Sequence, residues 1–268
     1  MTQAAADRPV TVPDFAAFKA AGRKLVMITA YDFALARLFD EAGVDAILVG
    51  DSLGMVVQGG DNCLAVTLEE MIYHTRCVAR ACRRSILIGD MPFLSYQISP
   101  EESVRNAGRL LKEGGAHAVK LEGGERVAAS IRAIVDAEIP VLGHIGLTPQ
   151  SVRRIGGFRV QRDADRILAD ARAVQDAGAF AVVVECVPAE LAARITRELR
   201  IPTIGIGAGA GCDGQVLVGH DLLGLFDAIR PKFVKRYVEL GRMAREAVSA
   251  YCREVREGAF PAAEHEFQ

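Results

Sequence analysis

The sequence predicts an α/β protein, a (β/α)8 TIM barrel with an additional N-terminal helix, as one domain over residues 1–268. Three observations predict it. Four short apolar runs end in a carboxylate: 46–51 (AILVGD), Ile86–Asp90 (ILIGD), Ala118–Glu122 (AVKLE) and Ala181–Glu185 (AVVVE). Strands buried on both faces read this way, and such folds carry their chemistry at the strands' carboxyl ends. Helix-like segments alternate with the runs, and several stop at glycine just before a strand, as in Glu41-Ala42-Gly43, Glu113-Gly114-Gly115 and Asp176-Ala177-Gly178. A doubly wound open sheet is the alternative architecture.

Residues 1–10 carry no pattern and read as loose. Val12–Ala20 is a short amphipathic stretch, with Phe15 and Phe18 three apart, suited to a helix closing one barrel end. Expected strands then follow at 25–30, 46–50, 86–89, 118–122, 141–143, 181–184, 203–206 and 216–218. Helices are expected at 33–41, 68–81, 100–113, 125–136, 164–176 and 188–198, and a long final one at about 233–256. Thr67 with Glu70 forms a capping box, and Ser99-Pro100-Glu101-Glu102 places a cap, a first-turn proline and two acids at a helix start. Two inserts, 52–66 and 147–162, follow strand ends and therefore lie over the mouth. Between Ile206 and Val216 the chain is too short for a crossover helix, so the seventh unit is incomplete.

The bulk properties narrow the function. Hydrophobic residues make up 50% of the 268, enough for a substantial core, and the formal charge is −2 with no basic run, which argues against nucleic acid. No apolar run reaches the ~20 residues that cross a bilayer. None of the six cysteines forms a CxxC pair, and the N-terminus has no apolar signal segment. Reduced thiols in the cytoplasm are the expectation.

If the runs are neighbouring barrel strands, Asp51, Asp90, Glu122, Glu185 and Lys120 crowd one mouth. An Asp after a strand can simply cap the next turn, as Asp51 would through Ser52. The repetition at Asp90 and Glu122 favours convergence on one hard cation, Mg2+ first, with part of its water shell retained. Zinc is disfavoured because no His or Cys cluster has ligand spacing. Lys120 shares a strand face with Glu122, as an ion pair, as a grip on an anionic substrate, or as a Schiff-base amine. The last is weakest, since surrounding acids keep the amine protonated. Glu185 is either a helix-start acid or a general base whose apolar neighbours raise its pKa. His144 closes the fifth run, as a structural donor or a donor to a substrate oxygen. Asp32 is a further mouth acid or a helix cap. The stretch 205–210 nominally matches GxGxxA but runs into another turn and strand, so a dinucleotide is discounted.

The strings VGDSLGMVVQG (49–59), GDMPF (89–93), AVKLEGG (118–124), GHIGLTPQS (143–151), VVECVP (183–188), IPTIGIGAG (201–209) and CDGQVLV (212–218) together resemble ketopantoate hydroxymethyltransferases, over about residues 12–256. The resemblance implies a (βα)8 barrel that transfers a hydroxymethyl group from 5,10-methylenetetrahydrofolate to 3-methyl-2-oxobutanoate. The products are 2-dehydropantoate, for pantothenate synthesis, and tetrahydrofolate, formed through a metal-stabilised enolate. It implies Mg2+ or another divalent ion on Asp51, Asp90 and Glu122, and substrate contacts from Asp51, Ser52, Asp90, Lys120 and His144. Glu185 takes the place of the base, and the family pattern is a homodecamer of two pentameric rings. Two positions depart from the pattern: Gly60, where many members have histidine, and Arg162, where glycine is common.

Overall fold

Eight short strands close into an all-parallel barrel in sequence order: β1 (Leu25–Thr29), β2 (Ala46–Val49), β3 (Ile86–Asp90), β4 (Ala118–Glu122), β5 (Val141–Gly146), β6 (Ala181–Glu185), β7 (Thr203–Ile206) and β8 (Gly214–Leu217). The structure is a computed structural model describing residues 8–227 and 230–267. Most of the expected loose N-terminus, residues 1–7, lies outside the described residues. The chain divides into two compact units, Met1–Val218 and Gly219–Gln268.

In the first unit, α1 (Val12–Ala20) precedes the barrel. Crossover helices α2 (Phe33–Glu41), α4 (Leu68–Ala79), α5 (Pro100–Lys112), α6 (Ala128–Asp136), α8 (Ala164–Asp176) and α9 (Ala189–Glu198) join successive strands from β1 to β7. The expected punctuation is present. Thr67 and Glu70 make a reciprocal capping box on α4, and the Ser99 side chain accepts from the Glu102 N–H at the start of α5. Asp32 caps α2 through the Leu35 N–H and is exposed, so it is no mouth acid. The two inserts carry one-turn helices, α3 (Leu53–Val56) and α7 (Val152–Ile155).

No helix joins β7 to β8. Residues 207–213 return as a loop, which suffices because the strands are short: seven residues reach about 23 Å, and a four-residue strand spans about 13 Å. Asp213 anchors this return. Its carboxylate accepts the Thr203 N–H at 2.9 Å and pairs with Lys19 of α1 at 2.9 Å.

Inside the barrel, residues two apart on each strand share the interior face. The lower layers are apolar: Leu25 and Met27, Ala46 and Leu48, Ile86 and Ile88, Ala118, Leu142, Ala181 and Val183, Ile204, Val216. Fully buried Phe15 of α1 joins this cluster and stacks edge-on with Phe180, ring centroids 5.1 Å apart. Continuing the same parity upward replaces apolar side chains with ionisable ones, and that step creates the site.

In the second unit, α10 (Gly219–Leu222) is followed by α11 (Leu240–Glu257). The final helix starts seven residues later than expected. The Tyr237 and Leu240 N–H groups donate to the Leu222 and Leu223 carbonyls, which commits that stretch to a non-helical path. Among the described residues no helix is long and apolar enough to cross a membrane.

Candidate active site

Asp90 lies two residues above Ile88 on β3, Lys120 two above Ala118 on β4 with Glu122 next on that face, and Glu185 two above Val183 on β6. His144 lies two above Leu142. The expected fifth strand ended at Gly143, but β5 continues to Gly146, paired with β4 and β6. His144 is therefore an interior residue in mid-strand. Gly146 permits this extension: at φ 91° its hydrogen lies where a Cβ would stand 2.3 Å from the Glu185 carbonyl oxygen.

These side chains form one buried chain of charge. Lys120 Nζ lies 2.9 Å from Asp90 Oδ1, 3.8 Å from Glu122 Oε1 and 3.3 Å from His144 Nδ1. His144 Nδ1 is 3.4 Å from Glu122 Oε1, and its Nε2 is 3.1 Å from Glu185 Oε2. Asp51 enters from the end of β2, its N–H donating to Asp90 Oδ2 at 3.1 Å. Ser52, half-buried at the rim, shares a 2.8 Å hydrogen bond with the Tyr31 hydroxyl. All seven expected site residues thus collect at the carboxyl end of the barrel. His74 does not join them; its Nδ1 meets the Tyr31 carbonyl oxygen.

Sequence reasoning passed over Gln150 and Tyr96. Gln150 Nε2 donates to Asp51 Oδ2 and to the Met91 carbonyl, both at 2.9 Å, and its N–H donates to Glu122 Oε2 at 3.0 Å. The Tyr96 hydroxyl lies 2.6 Å from Gln150 Oε1 and accepts the Glu122 N–H at 3.1 Å. Gln150 lay inside the GHIGLTPQS string, but a loop amide has no periodicity to mark it.

Electrostatics follow from burial. Asp51 is held well above the usual carboxylate range by desolvation first, then by the charges of Asp90 and Glu122. Asp90 is raised by desolvation, with Lys120 opposing. Burial would raise Glu122 too, but the contact and charge of His144, with Lys120, bring it below its ordinary value. Lys120 is raised, because the charges of Asp90, Glu122 and Asp51 outweigh its own desolvation. For His144, burial and Lys120 push down, yet contact with Glu122 and Glu185 wins and holds it up to about 9.

Four carboxyl groups here face two cationic partners, Lys120 and His144. Burial and mutual repulsion hold Asp51 well above and Asp90 above the usual carboxylate range, and a divalent ion would supply the positive charge that lets these acids ionise. Among the described residues no three His, Cys, Asp or Glu side chains stand as a closed cage for a metal, because Lys120 lies between Asp90 and Glu122. The donor set still fits a hard cation that binds one or two carboxylates and keeps much of its water. Glu122 Oε1 is buried without a hydrogen-bond partner, as a group awaiting a further ligand would be.

The fold is a closed (β/α)8 barrel, the class of TIM-barrel proteins. A 2,3-dimethylmalate lyase, itself a member of the PEP mutase/isocitrate lyase superfamily, superposes with TM-score 0.62 over 96% of this chain and 91% of its own, at 18% identity. The ketopantoate hydroxymethyltransferase family matches residues 9–263, and the chain belongs to that family. The 3-methyl-2-oxobutanoate hydroxymethyltransferase of Pelobacter propionicus is 59% identical over 263 residues, 97% of this chain and 98% of that protein. The Clostridium botulinum enzyme of the same name is 54% identical over 262 residues, covering 96% and 95%. The activity is transfer of a hydroxymethyl group to 3-methyl-2-oxobutanoate, a step of pantothenate biosynthesis.

Proposed function

We propose that 5,10-methylenetetrahydrofolate is the donor, that Mg2+ is the resident metal, and that Asp51 and Asp90 hold it, with Glu122 acting through water. The products are then 2-dehydropantoate and tetrahydrofolate. The observation that carries this reading is the convergence of four carboxyl groups on Lys120 and His144, more acids than those two groups can pair. When bound, Mg2+ supplies a Lewis acid for the keto oxygen, which makes the hydrogen on C3 of the oxo acid acidic.

The chain's own groups do the rest. Lys120, kept protonated by Asp90 and Glu122, faces the negative charge that the substrate brings. Glu185 removes the C3 proton. It is the least buried of the four carboxylates, and His144 Nε2 stands 3.1 Å from one of its oxygens. The electron pair left at C3 bonds to the methylene carbon of the opened donor. Water then displaces the pterin nitrogen from that carbon, giving the hydroxymethyl group and tetrahydrofolate. Backbone geometry aims the base: Cys186, next to Glu185, sits at φ 49°, and its N–H and C=O are tied to Ile206 and Gln161. Ser52 at the rim contributes its hydroxyl to the oxo acid.

The test is product formation from 3-methyl-2-oxobutanoate and methylenetetrahydrofolate, with and without chelator. Turnover is expected to need both the donor and a divalent ion. Full turnover in excess chelator would reject the metal, and turnover without the folate would reject the donor. The cytoplasmic location rests on the reading of the cysteines as reduced thiols, and the homodecamer on family resemblance. For the decamer, light scattering should give ten times the 28.8 kDa chain mass.

A further inference from the structure

Gln150 is 5% exposed and uses its whole hydrogen-bonding capacity. A neutral amide offers two N–H donors and a carbonyl with two lone pairs. Here both donors are spent, on Asp51 Oδ2 and the Met91 carbonyl. Both lone pairs are spent too, on the Tyr96 hydroxyl at 2.6 Å and Gln97 Nε2 at 3.1 Å. The Gln150 main-chain N–H adds a fifth bond, to Glu122 Oε2. One residue of the second mouth insert thereby grips one oxygen each of two acids that come from different strands.

The arrangement is directional. Asp51 Oδ2 and Glu122 Oε2 are turned toward Gln150, and the partner oxygen Glu122 Oε1 is left on the Lys120 side without a hydrogen bond. The Tyr96 hydroxyl stands 2.6 Å from Gln150 Oε1 and 3.1 Å from the Glu122 carbonyl, so the shorter contact directs its proton to Gln150 while its oxygen receives the Glu122 N–H. The amide is thus held in one orientation, and with it which oxygen of each carboxylate is turned away from the loop.

We infer that Gln150, locked by Tyr96, is a positioning residue that orients the Asp51 and Glu122 carboxylates toward the divalent ion. The inference rests on the metal reading given above. Outer partners of metal-binding carboxylates commonly matter about 10–100-fold in metal affinity or activity.

The experiment is Mn2+ titration by electron paramagnetic resonance on substrate-free enzyme. It compares wild type, Gln150→Met, which keeps the volume and loses the amide, and Tyr96→Phe, which removes only the lock. Steady-state kinetics and thermal melting run alongside. Gln150→Met is expected to weaken Mn2+ at least about 10-fold and to lower kcat more than it raises KM for the oxo acid. Tyr96→Phe should shift both in the same direction by a smaller factor, with a folded melting profile. If Gln150→Met does not fold, Tyr96→Phe alone decides. Mn2+ affinity within twofold of wild type in a folded variant would overturn the positioning role, whatever the melting temperature. A wild-type enzyme that binds no Mn2+ would instead bring down the metal reading, and this inference with it.

Discussion

The two ends of the barrel use one interior face for opposite purposes. At the lower end, Phe15, Leu25, Ala46, Ile86 and Ala181 fill the bore with apolar volume. At the upper end, the same parity on the same strands delivers Asp90, Lys120, Glu122, His144 and Glu185. The lower end gains stability from burial. The upper end costs stability through desolvation and returns reactivity. Changes at the upper end should therefore remove activity and leave the fold, and changes at the lower end should do the reverse.

The sharpest test of that contrast is Glu185→Gln. It should lower kcat by about 10²–10⁴-fold while Mg2+ affinity and melting temperature stay near wild type. Near-full turnover would remove Glu185 from the base role. At the opposite end, Phe15→Ala should destabilise the protein by about 3–5 kcal/mol in denaturant melts, with kcat per folded molecule retained. A large loss of kcat at unchanged stability would break the division between the two ends.

A smaller effect concerns pH. With no cation bound, Asp51 is held well above 3.8 by burial and by Asp90 and Glu122, so a proton competes with the metal for its carboxylate. Mg2+ affinity should rise with pH, with proton release in calorimetry, and Asp51→Ala should weaken binding and flatten that dependence. Binding that ignores pH and survives Asp51→Ala would remove Asp51 from the ligand set.

The smallest expected effect lies outside the bore. Asp40 is buried where α2 meets residues 83–85. Burial alone would raise its pKa, but bonds from the Ser85 hydroxyl and the Ser85, Arg83 and Arg84 N–H groups hold it below 3.8. A lowered folded pKa contributes stability above the unfolded value, and that stability is lost as pH falls through the folded one. Asp40→Asn should reduce stability at neutral pH and make acid melts below pH about 4 less steep. Unchanged melts in both ranges would show that this cluster does no such work.

The same contrast explains what the sequence made legible. Buried parallel strands are written as apolar runs, so the strand count and the acids that interrupt the parity were readable from the residues. The end of β5 was not, because Gly143-His144-Ile145-Gly146 reads as a turn and becomes strand only against β4 and β6. Nor was Gln150, whose role depends on contacts with residues up to 99 positions away. The late start of α11 was hidden for a similar reason, since backbone bonds to residues 222 and 223 override the local helical preference. Gly60 now has a local reason. A Cβ there would stand 2.9 Å from the Gly54 carbonyl oxygen, so this chain's first insert folds back more tightly than a side chain at that position would allow.

The direct return from β7 to β8 has one more consequence. Without a crossover helix, β7 and β8 are held to each other by two register pairs, Ile204 with Gly214 and Gly205 with Gln215, the shortest ladder of the eight. Amide protons of β7 and β8 should be the first of the eight strands to exchange with deuterium, and the cylinder should unzip from that line.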